Sequence, residues 1–419
     1  MKRLVIIAGI VYPDPTPPGK IALQFAEVLK KHFDVSMIIM QSSLVQIDNE
    51  EINGIKLYSV FGLRYFLELW FQNIFNNTKY LPIKKLSKLS VILLKGIGRI
   101  QSMVIFPNNL RWYYKGTLRK LKKLNSEQKI DVIFSICSPF PAHMAAQKFK
   151  EMNKEVKWVT YTVDPYATSE RLNNIALFQK YRNNYNLKFE SLIYSKSDYN
   201  LVSEEVFQFE SNLFEEYKHK TTSLPYLLSK PGEKSGNYFE KTKVNLVFAG
   251  RFYEDIRNPD FLLASFLKIS DNSIQLHLFS QSNCEHIVDQ YINISGGRII
   301  KHPLVSIDEV LNVLLDADVL INVGNSNSSF KPSKTFEYIS TGKPIINFYR
   351  NNNFDEVLLK YPLAIQINEN EQTHLESSRQ IEEFCLKNNG KSLRWEEIES
   401  IYPFHSSTSF NSILMNAFN

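Results

Sequence analysis

The feature that most constrains this chain is the alternation of short aliphatic runs with amphipathic segments. Leu4–Val11 is a continuous apolar run, Lys20–His32 has the apolar spacing of a helix, and Val35–Met40 is apolar again except for Ser36. A continuous apolar run is typical of a strand that is covered on both faces of its sheet. A strand, a helix and a second strand within about forty residues indicate a βαβ unit, whose strands are parallel. The opening of the chain therefore predicts a parallel α/β sheet.

The same alternation returns after a basic region and begins again in the second half of the chain. The first series continues with predicted strands at 131–136, 156–163 and 196–202 and a helix at 140–151. The second series has predicted strands at 244–249, 274–279, 319–323 and 344–348 and helices at 259–269, 306–315 and 334–341. Polar residues, glycine and proline separate the two series and predict a linker at 231–243. The sequence thus predicts two doubly wound α/β domains.

Composition excludes several classes of protein. With 419 residues, 44% hydrophobic and 22% charged, the chain has ordinary globular usage and enough length for two or three domains. Its three cysteines, Cys137, Cys284 and Cys385, form no Cys-x-x-Cys motif, which excludes a zinc ribbon and a thioredoxin motif and favours a reducing compartment. The run after Lys2 and Arg3 is too short for a membrane span and lacks a small-residue cleavage site, so we interpret it as a buried strand.

Positive charge is concentrated in residues 64–123. This segment holds 13 Lys and Arg and one acid, Glu68, which gives a net charge of +12, and aromatic and aliphatic residues lie between the charges. Such a pattern favours an anionic membrane surface as partner. A solvated basic helical face remains an alternative. No nucleic-acid-binding motif accompanies the segment, so we do not expect a nucleic acid partner.

The strongest candidate for a ligand site is the run 330–346. It follows a predicted strand and a polar loop, and it opens a helix, which is where open α/β sheets bind ligands. The free N–H groups of Ser333 and Lys334 would suit a phosphate, and Glu337 lies one turn further on, where its carboxylate would suit ribose hydroxyls. An ordinary amphipathic helix with a solvated Glu337 is the alternative from spacing alone.

This run also carries a resemblance to a known family. Pro332-Ser-Lys-Thr-Phe-Glu337, followed by Thr341-Gly-Lys-Pro344, resembles the nucleotide-sugar motif of GT-B-fold glycosyltransferases of the group 1, or family 4, type. Val247-Phe-Ala-Gly250-Arg251 and the later Arg257 resemble the family's strand-Gly-Arg segment and its following basic residue. Asp164-Pro165-Tyr166 resembles the Asp-Pro-Trp motif of bacterial polysaccharide members. The resemblance covers most of residues 1–20, 131–205 and 244–350.

The resemblance implies a fold, a domain division and an activity. The fold is the GT-B architecture, with two Rossmann-like domains facing a cleft. The implied domains are an acceptor-binding domain at 1–230, a linker at 231–243, a donor-binding domain at 244–395, and a segment at 396–419 that returns to the first domain. The implied activity is sugar transfer, with retention of the anomeric configuration, from a nucleotide diphosphate donor to a glycan or lipid-linked acceptor in bacterial surface-polysaccharide synthesis. Such an enzyme would be cytoplasmic and peripheral on the inner face of the cell membrane.

The resemblance also implies site residues. The donor would be bound by Gly19, Gly250, Ser329, Pro332, Ser333, Lys334 and Glu337. Arg251 and Arg257 are catalytic candidates, because fixed cations stabilise the charge that accumulates on a departing phosphate. Two surface arginines are the alternative. Asp164, at a predicted strand end, is a candidate to orient or deprotonate the acceptor hydroxyl, and an Asx turn before Pro165 is its alternative.

One family residue is missing from this chain, and some of its motifs resemble sites that we do not expect it to have. The family pattern places a second Glu eight positions before Glu337, where this chain has Ser329. A GT-B-fold nucleotide-sugar epimerase and a non-catalytic partner subunit therefore remain alternatives to a transferase. Asp316-Ala-Asp318 imitates a metal motif, but its position between a helix and a strand predicts a helix end. No His, Cys and carboxylate set has metal spacing, so we expect neither a metal nor another cofactor. His302 is expected in a loop near the nucleotide base.

Overall fold

The computed structural model describes the chain except for residues 14, 45–46, 105–109, 138, 165, 168–178, 210–214, 234, 304, 326–333, 352 and 419. The chain forms two compact units. The first contains Met1–Leu224 together with Asn411–Asn419, and the second contains Pro225–Phe410. Residues 231–243 thus lie in the second unit.

A parallel sheet forms the centre of the first unit. Its strands are β1 Lys2–Ile7, β2 Phe33–Met40, β3 Asp48–Ile52, β4 Ile55–Val60, β5 Val132–Cys137, β6 Lys157–Thr162, β7 Tyr199–Ser203 and β8 Thr221–Leu224. They lie in the order β3-β4-β2-β1-β5-β6-β7-β8, and only the β3–β4 pair is antiparallel. The order runs in opposite directions on the two sides of β1, so the sheet is doubly wound, as predicted.

Helices cover this sheet and account for the long basic region. They are α1 Pro17–Leu29, α2 Leu63–Asn77, α3 Leu81–Val104, α4 Arg111–Glu127, α5 Pro141–Met152, α6 Gln179–Lys196 and α7 Glu204–Phe209, with a 3-10 turn at Glu215–Lys220. The predicted first helix was placed too late, because Pro17 and Pro18 occupy its first turn, where a missing N–H costs no hydrogen bond. The strand predicted at 196–202 begins only at Tyr199, since Lys196 ends α6.

The second unit is a second parallel sheet with its own helices. Its strands are β9 Val244–Phe252, β10 Ile274–Ser282, β11 Ile299–Lys301, β12 Val319–Val323, β13 Ile345–Tyr349 and β14 Ala364–Asn368, in the order β11-β10-β9-β12-β13-β14. Its helices are α8 Asp260–Leu267, α9 Glu285–Ile294, α10 Ile307–Asp316, α11 Lys334–Ser340, α12 His374–Asn388 and α13 Trp395–Ile401, with 3-10 turns at Leu358–Lys360 and Pro403–His405. Here the order changes direction at β9.

The aliphatic runs of the sequence are the cores of both units. Leu4 to Ile7 of β1 are completely buried, which confirms that the N-terminal apolar run is a strand. The last helix, α14 Ser407–Asn416, crosses from the second unit into the first. After it, the Phe418 ring packs in the first unit, with its centroid 5.7 Å from that of Phe33 and 5.2 Å from that of Phe134.

Candidate functional site

A cavity of about 300 Å³ lies in the second unit, where the strand order changes direction. β9 and β12 are neighbours, but the chain continues from β9 to β10 on one side of the sheet and from β12 to β13 on the other. A crevice forms at the carboxyl ends of such strands, and ligands of open α/β sheets bind there. The cavity is lined by Ala249, Gly250, Arg251, Phe279, Val305, Val310, Leu314, Lys334, Glu337 and Tyr338. Four of the predicted site residues, Gly250, Arg251, Lys334 and Glu337, therefore line one cavity.

Gly250 allows Lys334 to reach the end of β9. The ammonium Nζ of Lys334, at the start of α11, donates a hydrogen bond to the carbonyl oxygen of Ala249. A Cβ at position 250 would lie only 2.5 Å from that Nζ and 3.1 Å from the Phe248 ring. A side chain there would push the flexible end of Lys334 aside, so glycine leaves room for the lysine in its observed position at this wall of the cavity.

Arg257 is held beside the cavity by a tight loop after β9. The backbones of Tyr253 and Arg257 pair through two hydrogen bonds, of 3.1 and 2.9 Å. The Arg257 guanidinium donates from Nη2 to Asn325 Oδ1 at 2.8 Å and from Nη1 to the Arg251 carbonyl oxygen at 3.4 Å. Asn325 follows β12, so the arginine joins the two strands that flank the crevice.

Arg257 has no anionic partner among the described residues. Its Nε is buried and has no hydrogen-bond partner among the described residues, and none of these provides a carboxylate to pair with the guanidinium. Burial lowers the pKa of Arg257 from its usual value because it disfavours the charged form. Arg257 as a whole is half-buried, and a cation with a buried donor atom normally has an acceptor for it, which a phosphate oxygen would supply.

Glu337 presents a free acceptor at the cavity. It lies in the first turn of α11, it is solvent-exposed, and no group in the described part of the chain donates a hydrogen bond to its carboxylate. The helix itself is fixed from below, because the hydroxyl of Thr335 donates to Asp355 Oδ2 at 2.7 Å and both residues are buried. Arg251 is exposed at the rim, at the end of β9.

The other predicted donor residues have different outcomes. Ser329, Pro332 and Ser333 lie outside the described residues. Gly19 lies in the first turn of α1 rather than in a loop, and it is buried. A Cβ at Gly19 would lie 1.9 Å from the carbonyl oxygen of Ile10, so close packing alone requires glycine at this position. A role for Gly19 towards the donor stays a prediction.

Asp164 follows β6 at the carboxyl end of the sheet of the first unit. The residue is exposed to solvent, yet the protein around its carboxyl group desolvates it and raises its pKa. This placement agrees with the strand-end position that the sequence predicts. Its role in orienting or deprotonating an acceptor hydroxyl stays a prediction.

Sequence reasoning missed Glu190 on α6, which holds the loop that follows Asp164. Glu190 is 1% exposed, and its carboxylate accepts hydrogen bonds from the backbone N–H of Tyr166 at 3.1 Å and of Ala167 at 2.9 Å. The hydroxyl of Tyr194 donates to the same carboxylate at 3.2 Å. Burial raises the pKa of Glu190, and these hydrogen bonds oppose the rise. The only signal in the sequence was a polar series at helical spacing: Arg182, Asn186 and Glu190 all lie on the buried face of α6.

The two acids of the Asp316-Ala-Asp318 motif have structural roles. Asp316 ends α10, and its buried carboxylate accepts hydrogen bonds from the backbone of Tyr238 at 2.6 Å and of Phe239 at 3.2 Å. Asp318 accepts from the backbone N–H of Asn245 at 2.8 Å. The prediction of a helix end is therefore confirmed. Within the described ranges, no group of three or more His, Cys, Asp or Glu is arranged to hold a metal ion.

His302 lies close to the cavity. Its ring stacks on the ring of Phe279, which lines the cavity, with the ring centroids 4.3 Å apart. One ring nitrogen of His302 is 2.9 Å from Nδ1 of His277. Burial, with the neighbouring His302 as a smaller cause, lowers the pKa of His277 to about 4. That imidazole is therefore neutral at pH 7.

Comparisons with known proteins find similar structures but no similar sequence. No model of a protein family and no curated protein matches the sequence. Sucrose-phosphate synthase from Thermosynechococcus elongatus is similar in structure at 13% identity and a TM-score of 0.65, with 100% of this chain and 98% of that chain covered. The lipopolysaccharide outer core galactosyltransferase WaaB is similar at 12% identity and a TM-score of 0.57, with 100% and 99% covered. The trehalose 6-phosphate synthase from Burkholderia multivorans is similar at 9% identity and a TM-score of 0.60, with 99% and 96% covered.

These solved structures are GT-B glycosyltransferases with two Rossmann-like domains. The similarity extends over almost the whole of this chain, and both of its units are doubly wound parallel sheets with helices. At this level of identity the similarity establishes the fold, and it agrees with the resemblance that the sequence motifs carry. The chain therefore has the GT-B fold of glycosyltransferases.

Proposed function

We propose that the protein is a glycosyltransferase that uses a nucleotide diphosphate sugar. The observation that carries the proposal is the cavity of the second unit, which Glu337 lines, with Arg257 held by the same strand end. Among the described residues, nothing accepts from the buried Nε of Arg257 and nothing donates to the carboxylate of Glu337. A nucleotide diphosphate offers both complements: phosphate oxygens for the cations and ribose hydroxyls for the carboxylate. Solved structures with the same fold are named as transferases of sugars, which supports the assignment.

The cationic residues in and beside the cavity would act on the leaving group. When the bond between the anomeric carbon and the diphosphate breaks, negative charge accumulates on the phosphate. Arg257 and Arg251, with Lys334 nearby, would hold cationic groups against that charge before it develops, and such preorganised stabilisation lowers a barrier. We propose that these side chains serve in place of a metal ion, and that the transfer retains the anomeric configuration, as the sequence resemblance implies.

The acceptor would be bound by the first unit. There Asp164 would orient the acceptor hydroxyl or take its proton, and the raised pKa of its carboxyl suits proton transfer better than an ordinary surface Asp. We propose a glycan or a lipid-linked intermediate of bacterial surface-polysaccharide synthesis as the acceptor. The WaaB galactosyltransferase, which is similar in structure, is named for an acceptor of this kind, the lipopolysaccharide outer core.

A panel of nucleotide sugars tests the function. The protein is incubated with each donor, first without an acceptor and then with a mixture of glycan and lipid-linked acceptors, and free nucleotide diphosphate is measured. A transferase releases nucleotide diphosphate faster when an acceptor is present. Conversion of a donor to its epimer without an acceptor would indicate the epimerase instead. Absence of donor binding by calorimetry across the panel would contradict the proposed site and favour a non-catalytic subunit.

We expect Glu190→Gln to lower kcat about tenfold or more while leaving the affinity for nucleotide diphosphate unchanged. The carboxamide has one acceptor oxygen and an NH2 group, so one of the two backbone N–H groups of the Asp164 loop would lose its partner. An unsatisfied buried donor costs about 1–3 kcal/mol, which the loop avoids by moving. The donor cavity lies in the other unit and would be unaffected.

Tyr194→Phe is the matched control for this prediction. It removes the hydroxyl that donates to Glu190 and to Thr162, but it leaves the two backbone hydrogen bonds in place. Steady-state kinetics should show nearly normal kcat for this variant. An equal loss of kcat in both variants would mean that Glu190 acts only through core packing.

We also propose an anionic membrane surface as a partner of residues 64–123, and a peripheral location on the inner face of the cell membrane. The structure places much of the basic segment on α2, α3 and α4. Within the described ranges, none of the helices combines the length and hydropathy that crossing a bilayer requires. Attachment at the surface would bring the enzyme to a lipid-linked acceptor.

Reversing three charges on α3 should weaken this attachment. Lys85, Lys88 and Lys95 are exposed, whereas Lys84 lies over the ring of Phe75 and is better left intact. Each lysine near an anionic surface contributes about 1 kcal/mol, so K85E/K88E/K95E should reduce binding to anionic vesicles about tenfold or more at low salt. Vesicle sedimentation measures this, and unchanged binding would show that the basic face is only solvated.

A further inference from the structure

Helix α3 exposes a stripe of large apolar side chains. Leu86, Leu89, Leu93, Ile97 and Ile100 are between 46% and 63% exposed. Their spacing of three or four residues places them on one side of the helix. A surface helix of a globular protein normally turns its large apolar side chains towards the core, and α3 does the opposite.

The most buried residues of α3 have small or medium-sized side chains. Ser87 is 2% exposed, Val91 is 7% exposed, and Gly98 is buried. A Cβ at Gly98 would lie 2.6 Å from Nη1 of Arg64 on α2, and the same nitrogen donates to the carbonyl oxygen of Leu94 at 3.2 Å. The close contact between α2 and α3 thus uses small side chains, which leaves the large apolar ones pointing away from the protein.

Positive charge flanks the apolar stripe. Lys84, Lys85, Lys88, Lys95 and Arg99 lie along one side of the helix, between the stripe and the buried side, and α3 contains no acidic residue. An apolar face bordered by lysine and arginine is the pattern of a helix that lies in the interface of an anionic membrane. A second copy of the chain would bring these same cations against each other, so the charge favours lipid over self-association.

Helix α2 and the turn that joins it to α3 also carry aromatic residues suited to the membrane interface. Tyr80, between α2 and α3, is 64% exposed, and Trp70 on α2 is 43% exposed. Tyrosine and tryptophan are enriched at the level of the lipid headgroups, because each has an apolar ring and a polar group. They add exposed aromatic surface outside α3.

We propose that α3 is an interfacial helix whose apolar stripe enters the headgroup and acyl boundary of an anionic bilayer. This proposal rests on the proposed function, because it specifies how the protein binds the membrane that we propose as its partner. Purely electrostatic adsorption would be lost at high salt, because ions screen it, whereas burial of apolar side chains is not screened. The inserted stripe would therefore keep part of the protein on the membrane at high salt.

The end of α3 is fixed to the rest of the first unit. Arg182 on α6 donates from Nη1 to the carbonyl oxygen of Met103 and from Nη2 to that of Ser102, each at 2.8 Å. The same helix, α6, carries Glu190, which holds the loop after Asp164. An inserted α3 would therefore hold the first unit rigidly at the membrane and would not act as a flexible tether.

The experiment is sedimentation of the full chain with vesicles of phosphatidylcholine, with and without phosphatidylglycerol, at about 0.1 M and about 1 M NaCl. We expect wild-type protein to bind the anionic vesicles at low salt and a measurable fraction to stay bound at high salt. The variant L86S/L89S/L93S should lose that salt-resistant fraction at least about tenfold. The variant K85E/K88E/K95E should instead show its main loss in binding to anionic vesicles at low salt.

A matched control removes equally exposed apolar side chains elsewhere. Ile294, Leu359 and Leu375 are exposed in the second unit, so I294S/L359S/L375S should bind vesicles as wild type does. A second readout attaches an environment-sensitive fluorophore at Leu93→Cys, which is feasible because the three native cysteines are buried. Its emission should shift to shorter wavelength on anionic vesicles.

Several results would overturn the proposal. They are complete release of the wild type by high salt, a fluorophore that stays in water, or dimers that form without lipid and disappear in L86S/L89S/L93S. Nucleotide affinity is measured by calorimetry on the same variants. Normal affinity with no insertion would reject only the interfacial helix, and insertion without affinity for any nucleotide would reject only the proposed transferase.

Discussion

Arg257→Ala is expected to lower kcat about 100-fold or more. The guanidinium is held by Asn325 and by the Arg251 carbonyl oxygen, so it is positioned before a ligand arrives. Removing one preorganised donor from a developing charge typically costs a factor of about 100–1,000 in kcat. Because the attraction grows as charge accumulates on the departing phosphate, kcat should fall more than KM rises.

Two further variants separate charge from geometry. Arg257→Lys keeps a positive charge but loses the planar fork, so it should recover only part of the rate. Arg251→Ala, at the exposed rim, should also lower kcat more than it raises KM, but by a smaller factor. Steady-state kinetics and a thermal melt of each variant are the measurements. A normal kcat in Arg257→Ala would remove this residue from the charge-stabilising group.

The fold was predictable because the strands are buried on both faces. Leu4–Val11 is apolar throughout, and Val35–Met40 and Val319–Val323 each contain a single polar residue, Ser36 and Asn322, which is also buried. The structure confirms a buried strand within each of the three runs. The antiparallel β3–β4 hairpin was not predicted. β3 is polar and exposed, and the signal for the hairpin was its Asn53-Gly54 turn, where both residues have positive φ.

The cavity was predictable in part, because its residues lie where a parallel sheet requires them. Gly250 and Arg251 end β9, and Lys334 and Glu337 begin α11 after β12, so the topology alone brings them to one crevice. The reason for Gly250 was not visible in the sequence. It depends on the path of the Lys334 side chain, which is a tertiary contact.

Tertiary packing also decides what the sequence left open about α3 and α6. The periodicity of α3 shows apolar positions but not which of its sides the protein covers, and the structure covers the side of Ser87 and Gly98 instead of the leucines. In α6 the pattern is reversed, since Asn186 and Glu190 are buried. A burial rule based on hydrophobicity alone misses the exposed leucines of α3 and the buried polar residues of α6, and these two helices carry the proposals that go furthest beyond the motifs.

Glu337→Ala is expected to weaken binding of nucleotide diphosphate about tenfold or more. A hydrogen bond from a hydroxyl to a charged carboxylate contributes about 1.5–3 kcal/mol, and a ribose offers two hydroxyls. The free energy of unfolding should hardly change, because Glu337 is exposed and accepts no hydrogen bond from the described residues, and alanine is a good helix former. Loss of affinity with normal stability therefore distinguishes a ligand contact from a structural role.

Titration calorimetry on three variants measures this. Glu337→Gln keeps one acceptor oxygen without the charge, so its affinity should lie between those of the wild type and Glu337→Ala. Glu371→Ala removes an exposed acid from the same unit outside the cavity and should bind as the wild type does. Equal affinity in Glu337→Ala and Glu371→Ala would show that the carboxylate at the start of α11 is merely solvated, and the nucleotide would then have to be held by the cations alone.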